Sequence, residues 1–348
     1  RELSAAIAPL VKRSLKFLES MCDEAGEPYL LNDSAVEETV TLPSLKTYAR
    51  AVGIAESRTA PASTAAVEMF SDTGYGVVTN GPYKLVVDAA PLGPSHNPGH
   101  GHADFLTFLL YIDGAPVVVD AGNADYVQGQ LRAYFRSTRA HSTIEIDDTN
   151  SAEVWSAFRV GRRTTPTVLD VRDLGEQIGT VVASHAGYRH LSGKPVVARR
   201  WICSPVAVVV VDLITSSANV LARGRFHLHP MWDMGEASMQ CTGEASAATS
   251  MAFTDRYGQG SFSVHTRYPI AFEAGHLFSP AFGRPSPAPV LGYQPAADVS
   301  HPEQLRQTAV FVKGSNARVT WQSDFAVVVN GTPIDWSSAV VSIGGAVL

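Results

Sequence analysis

Cysteine is scarce in this sequence. The 348 residues contain three cysteines, Cys22, Cys203 and Cys241, which lie far apart and form no C-x-x-C pair. This spacing excludes a disulfide framework and disfavours a zinc site built from cysteines.

Long apolar runs are also lacking. The longest extends from Pro205 to Leu213 and is interrupted by Asp212. A membrane-spanning helix needs about 18 or more consecutive apolar residues, so no membrane span is expected. A run of this length is typical of a buried strand.

Positive charge is in short supply. Lys and Arg number 27 against 33 Asp and Glu, which gives a net charge of -6. No segment of the sequence is a Lys/Arg-rich run. We therefore expect no nucleic-acid partner. With 45% hydrophobic and 17% charged residues, the composition is that of a globular protein.

The start of the sequence lacks both an initiator Met and a signal peptide. Apolar residues at spacings of three and four from Ile7 to Met21 predict a first helix, closed before Pro28. A second helix is predicted from Leu42 to Val52. Because the chain begins inside a helical pattern, we expect a processed chain or a fragment.

From about residue 55 the pattern changes to short apolar runs separated by Gly, Pro, Ser and Thr. Many short strands without alternating helices predict a mainly β protein, a large antiparallel β-sandwich preceded by a short helical segment. Asp113-Gly114 predicts a tight hairpin turn. If Ile112 faces Ala115 across that turn, the register places Asp120 opposite Thr107.

Histidines are concentrated just before one of the predicted strands. His100 and His102 alternate, so an extended backbone turns both to the same side. Asp120 follows a buried strand and His141 begins another. Two imidazoles and a carboxylate form a common ligand set for zinc or another divalent cation. The alternative is that these are ordinary polar residues at strand ends, hydrogen-bonded to backbone.

Several segments together resemble the heparinase II/III-like polysaccharide lyases, over roughly residues 25 to 235. The resemblance is carried, in the family's order, by Leu31-Asn32-Asp33-Ser34, His100-Gly101-His102-Ala103-Asp104, the segment ending at Asp120-Ala121-Gly122, Tyr134 to His141, Glu153 to Arg163, Ser184 to Tyr188 and His227-Leu228-His229-Pro230. The sequence departs from the pattern at Ser142, where the family often has Asn.

The resemblance implies a fold, a division into domains and a metal site. In this family an (α/α) toroid precedes the sandwich, so residues 1–56 are expected to be the end of a toroid and residues 57–348 the sandwich (supersandwich). Positions matching His102, Asp120 and His141 bind a mainly structural zinc or other divalent cation. The position matching His100 faces the substrate cleft and takes part in catalysis.

The resemblance also implies cleavage of uronic-acid-containing acidic polysaccharides or oligosaccharides by β-elimination. The family's Tyr acid/base belongs to the toroid, upstream of Arg1, so we expect the isolated chain to be weak or inactive. A periplasmic or secreted location is implied by the family alone.

Further candidates line the expected cleft. Arg136 is predicted to pair with a uronate or sulfate, or else to form a structural ion pair. Tyr126 and Tyr134 are predicted to line the sugar site, with packing in the sandwich as the alternative. His185 is a further candidate for the cleft.

Two other functions compete with the lyase. One is a non-catalytic carbohydrate-binding or exopolysaccharide-handling module of the same fold. The other is a metallohydrolase that uses zinc-bound water, with Asp104 or Glu145 as general base.

Overall fold

A short helical segment precedes a body of antiparallel sheets in the computed structural model of the chain. The structure describes residues 2–36, 38, 40–54, 66–174, 178–241, 248–297, 303–343 and 345–348. The helices are α1 (Glu2–Ser20), α2 (Leu42–Ala51) and α3 (Gln130–Phe135), with 3₁₀ turns at Thr138–Ala140 and Ser337–Ala339. The strands, in chain order, are β1 (Ala66–Phe70), β2 (Tyr75–Asn80), β3 (Tyr83–Asp88), β4 (Phe108–Ile112), β5 (Ala115–Val118), β6 (Ile144–Ile146), β7 (Val154–Trp155), β8 (Arg159–Val160), β9 (Thr167–Asp173), β10 (Gly179–His185), β11 (Val196–Cys203), β12 (Val208–Thr215), β13 (Ala222–His227), β14 (Trp232–Cys241), β15 (Ala248–Asp255), β16 (Ser261–Glu273), β17 (Leu277–Phe278), β18 (Ser286–Pro287), β19 (Val290–Tyr293), β20 (Ala296–Ala297), β21 (Gln304–Lys313), β22 (Val319–Ser323), β23 (Ala326–Val329), β24 (Thr332–Asp335), β25 (Ser342–Ile343) and β26 (Ala346–Val347).

Two antiparallel sheets form the body of the molecule. The smaller sheet has the order β1-β2-β3-β4-β5. The larger has the order β6-β13-β19-β16-β21-β12-β11-β10-β9, with β14 and β15 extending from β16 and β20 paired to β21. The predicted fold class, mainly β with large antiparallel sheets, is confirmed.

The main core lies between these two sheets. Val78 and Phe108 of the smaller sheet belong to the same buried cluster as Trp201, Val210 and Phe311 of the larger one. Strand β12 of the larger sheet is buried on both faces, which explains why it reads as a continuous apolar run rather than an alternating one.

The register of β12 shows how this run is used. Val208 and Val210 point into the core between the sheets, whereas Val209 and Val211 point to the opposite face. There they pack with residues of the C-terminal segment, including Trp336 directly after β24. Burying each of these valines contributes about 1.5–3 kcal/mol, so both faces hold the sheet in place.

The helical segment packs on the outer face of the smaller sheet. Met21, Tyr29 and Leu31 form a buried cluster with Val77 and Val86 of that sheet. This contact brings the loop after α1 to the entrance of the candidate site.

The predicted helices agree with the observed ones apart from their ends, since α1 ends at Ser20 and α2 at Ala51. None of the described helices is both long and apolar enough to cross a membrane. The predicted boundary between residues 56 and 57 lies outside the described residues, so the division into domains stays a prediction.

The predicted hairpin turn is present, but the predicted register beyond it is wrong. Asp113 and Gly114 both have positive φ, 50° and 78°, as a type I′ turn requires. Ile112 does face Ala115, yet the register shifts directly after Pro116, which has no amide hydrogen to continue the ladder.

The shift carries the chain away from β4 and towards the larger sheet. Val118 forms a bridge with Leu228, and the Val119 amide donates to the His227 carbonyl at 2.9 Å. Asp120 therefore follows this crossing between the sheets and is not paired with Thr107.

Candidate metal centre and cleft

Two loops run side by side where the smaller sheet meets the larger one. One precedes β4 and the other precedes β6. The Thr138 hydroxyl donates to the Ala103 carbonyl at 2.7 Å, and the Thr143 hydroxyl donates to the Phe105 carbonyl at 2.6 Å. These bonds hold the two histidine-bearing loops in register.

The structure brings His102, Asp120 and His141 together. All three are fully buried, and a ligand atom from each lies within 4.8 Å of those of the other two. His141 Nδ1 lies 2.7 Å from Asp120 Oδ2, and the other Asp120 oxygen accepts the Gly122 amide at 3.0 Å. A group of this kind can hold a metal ion.

The atoms of the triad fit a divalent cation. Among the described residues, His102 Nδ1 and His141 Nε2 are buried and have no hydrogen-bond partner. Buried polar atoms are rarely left unsatisfied, so these lone pairs are available to a ligand. Two imidazole nitrogens and a carboxylate oxygen suit zinc or a similar transition metal.

Asp33, in the loop after α1, contacts the triad through a hydrogen bond with His102. His102 Nε2 donates to Asp33 Oδ1 at 2.8 Å, which leaves Nδ1 as the ring nitrogen that can bind a metal. Arg132 of α3 pairs with both oxygens of the same carboxylate. Although burial alone would raise it, the bonds from His102 and Arg132 lower the pKa of Asp33 to about 2.

The histidines of the triad differ in electrostatic setting. Burial lowers the pKa of His102 to about 4, so its ring is neutral near pH 7, as a metal ligand must be. Burial also opposes a charge on His141, but the Asp120 carboxylate beside it outweighs burial and raises the pKa of His141.

Two further buried carboxyl groups, Asp88 and Asp104, lie near Asp120 of the triad. Burial, together with the charges of neighbouring carboxylates, raises the pKa of Asp88 and brings that of Asp104 to about 7, and Asp120 contributes to both shifts. The raised pKa values mean that the ionised forms of these groups are costly here unless a cation offsets their charge. The surroundings of the triad therefore favour a bound cation.

His100 lies in a different setting from His102, two residues away. Its side chain is 56% exposed, and its Nδ1 lies 2.8 Å from Asp33 Oδ2. One carboxylate thus holds the exposed and the buried imidazole. A bond through Nδ1 leaves Nε2 of His100 as the nitrogen that can meet a substrate.

The exposed imidazole forms part of the wall of a cavity of about 610 Å³. The helical segment provides one side through Phe17, Met21 and Asp33, and the sandwich provides the other through His100 and Tyr126. The cavity is large enough to bind a small molecule or part of a polymer.

The comparison with known families decides the identity of this fold. The family model of the heparinase II/III-like C-terminal domain matches residues 62–322, more than half of the chain. The chain belongs to this family.

Solved structures agree with this fold. A mutant of the heparan sulfate lyase HepC from Pedobacter heparinus is similar to this heparinase II/III-like chain with a TM-score of 0.73 and 14% identity, over 95% of this chain and 53% of that one. A heparinase III structure has a TM-score of 0.67 and 16% identity, over 97% and 55% of the two chains. The chain thus spans about half the length of these lyases. No curated protein matches its sequence significantly.

Arg136 of the heparinase II/III-like chain is placed away from the cleft. Its side chain is 1% exposed, and its guanidinium donates to backbone carbonyls, among them Gly101 at 3.1 Å and Ala157 at 3.2 Å. It pairs with no carboxylate among the described residues, so both sequence-based roles, uronate binding and a structural ion pair, are unsupported. The guanidinium is buried and donates its hydrogen bonds to backbone carbonyls instead. These bonds fix the loop that carries His100 and His102.

The other predicted cleft residues divide into two groups. Tyr126 is 39% exposed and lines the cavity. The Tyr134 hydroxyl accepts the Leu277 amide at 3.0 Å, which is a packing role. His185 is buried between Phe105 and Tyr188, so it lies in the core and not at the surface of the cleft.

Ser142, the departure from the family pattern, is buried directly after His141. Its hydroxyl accepts the His227 amide at 3.0 Å, and its carbonyl accepts a bond from Arg199. Arg199 also donates to the Leu106 carbonyl at 2.8 Å, while Asp212 neutralises its charge. One buried arginine thus ties together the two loops that carry the histidine candidates, His102 and His141.

Sequence reasoning missed Asp33, Arg132 and Arg199. Asp33 was part of a recognisable polar loop, but its contact with Arg132 spans 99 residues. The one available signal was that this loop resembles a segment of the family, and that resemblance assigns no role to Asp33. Of the general bases proposed for a hydrolase, Glu145 is paired with Arg225 at 2.8 Å.

Proposed function

We propose that this chain is the β-sandwich part of a polysaccharide lyase that cleaves uronic-acid-containing acidic polysaccharides by β-elimination. One observation carries the proposal. Asp33 holds an exposed imidazole, His100, on the cavity wall and a buried one, His102, in the metal triad. Membership of the heparinase II/III-like family supports the same reaction class.

The reaction needs three operations. The uronate carboxylate must be neutralised, the C5 proton must be removed, and the departing 4-linked oxygen must receive a proton. The C4–O bond breaks, a C4–C5 double bond forms, and the C5 proton passes to the base. We assign His100 to the base or to the carboxylate partner, since an imidazole serves either purpose near neutral pH.

A divalent cation, zinc in our proposal, belongs to the scaffold of this site. His102, Asp120 and His141 would hold it, and its chemistry would be to join the loops that carry them. Asp33 then transmits the position of His102 to His100, because both imidazoles contact the same carboxylate. The work at the substrate stays with His100 and with groups of the partner domain.

The partner domain in this proposal is the (α/α) toroid implied by the family resemblance, which would supply the Tyr acid/base. The matched lyases are about twice as long as this chain, which is consistent with such a domain. A periplasmic or secreted location is part of the same proposal.

The test is an assay for unsaturated uronate products. The full-length protein that carries this chain is incubated with uronate polymers, and the ultraviolet absorbance of the product is followed. We expect His100→Ala to reduce kcat by about 10²–10⁴-fold, the usual contribution of a general acid or base. His96→Ala is the matched control, because His96 is an exposed histidine of the same loop.

Two results would contradict the proposal. One is the absence of unsaturated product from every uronate polymer tried. The other is a His100→Ala variant that turns over as fast as the His96→Ala control.

A further inference from the structure

A second, smaller cavity of about 380 Å³ connects the loop after α1 with the metal triad. Asp23 and Glu24 of that loop are exposed and line the cavity. The segment that leaves β5 lines it as well, through Val119 and Asp120. Asp120 is a candidate metal ligand with no exposed surface. The smaller cavity therefore leads from the surface to a residue of the buried triad.

The larger cavity beside His100 does not have this connection. Its described lining includes Asp33, which contacts His102, but none of the three triad residues. His102, Asp120 and His141 are all fully buried, so a cation from solvent must pass through the protein to reach them. Of the two cavities, the smaller one alone has a triad residue among the described residues of its wall.

Three carboxylates, those of Asp23, Glu24 and Glu27, form the mouth of the smaller cavity. The Glu27 amide donates to Asp23 Oδ1 at 2.9 Å, which holds these residues in one tight loop. The described lining contains no Lys or Arg. It contains one histidine, His229, and burial lowers the pKa of His229 to about 4, so this ring is neutral near pH 7. The charged groups on the wall are thus all negative.

One ammonium group lies close to the mouth without cancelling its charge. Lys84 Nζ lies 5.1 Å from the centroid of the Tyr29 ring and donates to the Cys22 carbonyl at 3.2 Å. Lys84 is not among the residues that line the cavity. A single positive charge beside three carboxylates leaves the mouth net negative.

The inner end of the smaller cavity has the chemistry that retains a cation. His102 Nδ1 and His141 Nε2 are buried without hydrogen-bond partners, and Asp120 is the carboxylate of the same triad. A water molecule occupies about 30 Å³ in the liquid, so a cavity of this volume has room for a cation with several of its waters. Clefts lined by charge of one sign concentrate ions of the opposite sign and raise their association rates by about 10–10³-fold.

We propose that the smaller cavity is the route by which a divalent cation enters and leaves the triad, and that the carboxylates of the mouth attract the cation to it. The inference goes beyond the lyase reaction and rests only on the cation site of the proposed function. Metal exchange then takes place without passing His100. Because the mouth acts on passage and not on the bound ion, it sets the rates of uptake and release together.

Rates of zinc uptake test the charge of the mouth. The metal-free full-length protein that carries this chain is mixed with zinc at low ionic strength, without denaturant, and a zinc-sensitive dye reports the free metal in a stopped-flow instrument. Asp120→Ala gives the background from any other site. We expect the double variant Glu24→Gln/Glu27→Gln to take up zinc about tenfold more slowly, with an unchanged zinc content at equilibrium. The difference should shrink at high salt, because salt screens exposed charges.

Glu38→Gln is the matched control, since Glu38 is an exposed carboxylate on the wall of the larger cavity. It should take up zinc at the wild-type rate. Uptake by the double variant as fast as by this control would overturn the inference. So would a folded metal-free protein that takes up zinc only after it is unfolded and refolded.

A bulky side chain at the mouth tests the route independently of charge. Ala25 is exposed and lines the smaller cavity, so Ala25→Trp should slow both zinc uptake and chelator-driven zinc release. Leu18→Trp places the same ring in the wall of the larger cavity and should slow neither. Slower exchange in Leu18→Trp than in Ala25→Trp would overturn the inference.

The outcome is separable from that of the proposed function. A wild-type protein that binds no zinc would refute both the cation site and the route. Full zinc content with unchanged rates in the mouth variants would keep the cation site and refute the route. No polysaccharide is present in these experiments, so the absence of unsaturated product from every uronate polymer would bear on the lyase alone.

Discussion

The shared carboxylate of Asp33 makes a strong prediction about one substitution. Asp33→Asn retains the shape of the side chain but removes the negative charge of the carboxylate. This carboxylate faces Arg132 and accepts a hydrogen bond from His102. The side chains of Asp33 and Arg132 are 5% and 0% exposed, so the lost charge leaves a guanidinium unpaired in the interior.

Breaking a buried ion pair by removing one partner costs about 3–5 kcal/mol of unfolding free energy. Arg132 keeps two other bonds, from Nε to the Ala157 carbonyl at 2.8 Å and to Asn123 Oδ1 at 3.2 Å. We therefore expect a loss near the lower end, about 3 kcal/mol. Loss of the partner of a metal-binding histidine lowers metal affinity by about 10–100-fold, so the variant should also bind zinc more weakly.

Urea denaturation of the metal-free chain measures the first effect, and competition with a zinc chelator on folded protein measures the second. Asp72→Asn is the matched control, because Asp72 is an exposed aspartate in the turn between β1 and β2. The reasoning would be refuted if Asp33→Asn matched this control in both unfolding free energy and zinc affinity.

Two further predictions concern buried charges elsewhere. Arg199→Met should lower the free energy of unfolding by about 3–5 kcal/mol, because a buried ion pair is broken, whereas Arg172→Met, at a half-exposed pair, should cost at most about 1 kcal/mol. Equal losses measured by urea denaturation would argue against this. The second prediction concerns Glu273. Burial alone would raise the pKa of Glu273, but hydrogen bonds from His276 and Arg225 outweigh burial and lower this pKa to about 2, below its ordinary 4.5. Its ionised form thus stabilises the fold above about pH 4.5 and loses this effect as the pH falls towards 2. The stability difference between wild type and Glu273→Gln should shrink over that range, and a constant difference would contradict the assignment.

The fold was predictable because its signals are local. Asp113-Gly114 demands a tight turn, and the apolar run at β12 demands a strand buried on both faces. The register after Pro116 was not predictable in the same way. It depends on the bridge between Val118 and Leu228, the residue directly after β13 and more than a hundred residues away, which no local pattern reveals.

The candidate site was predictable only in part, for a similar reason. The alternation of His100 and His102 and the positions of Asp120 and His141 are visible in the sequence, and the family resemblance joins them. Whether an arginine meets a ligand depends on burial, which tertiary packing sets. Arg136 looked available in the sequence, yet its guanidinium is satisfied by backbone carbonyls.

Metal content tests the central claim, that His102, Asp120 and His141 form a cation site. The purified chain is analysed by elemental mass spectrometry beside Asp120→Ala and Asp72→Ala variants. The account predicts about one zinc or similar divalent ion per chain in the wild type and the Asp72→Ala control, and its loss in folded Asp120→Ala. A folded wild-type chain that takes up no divalent metal would contradict the account.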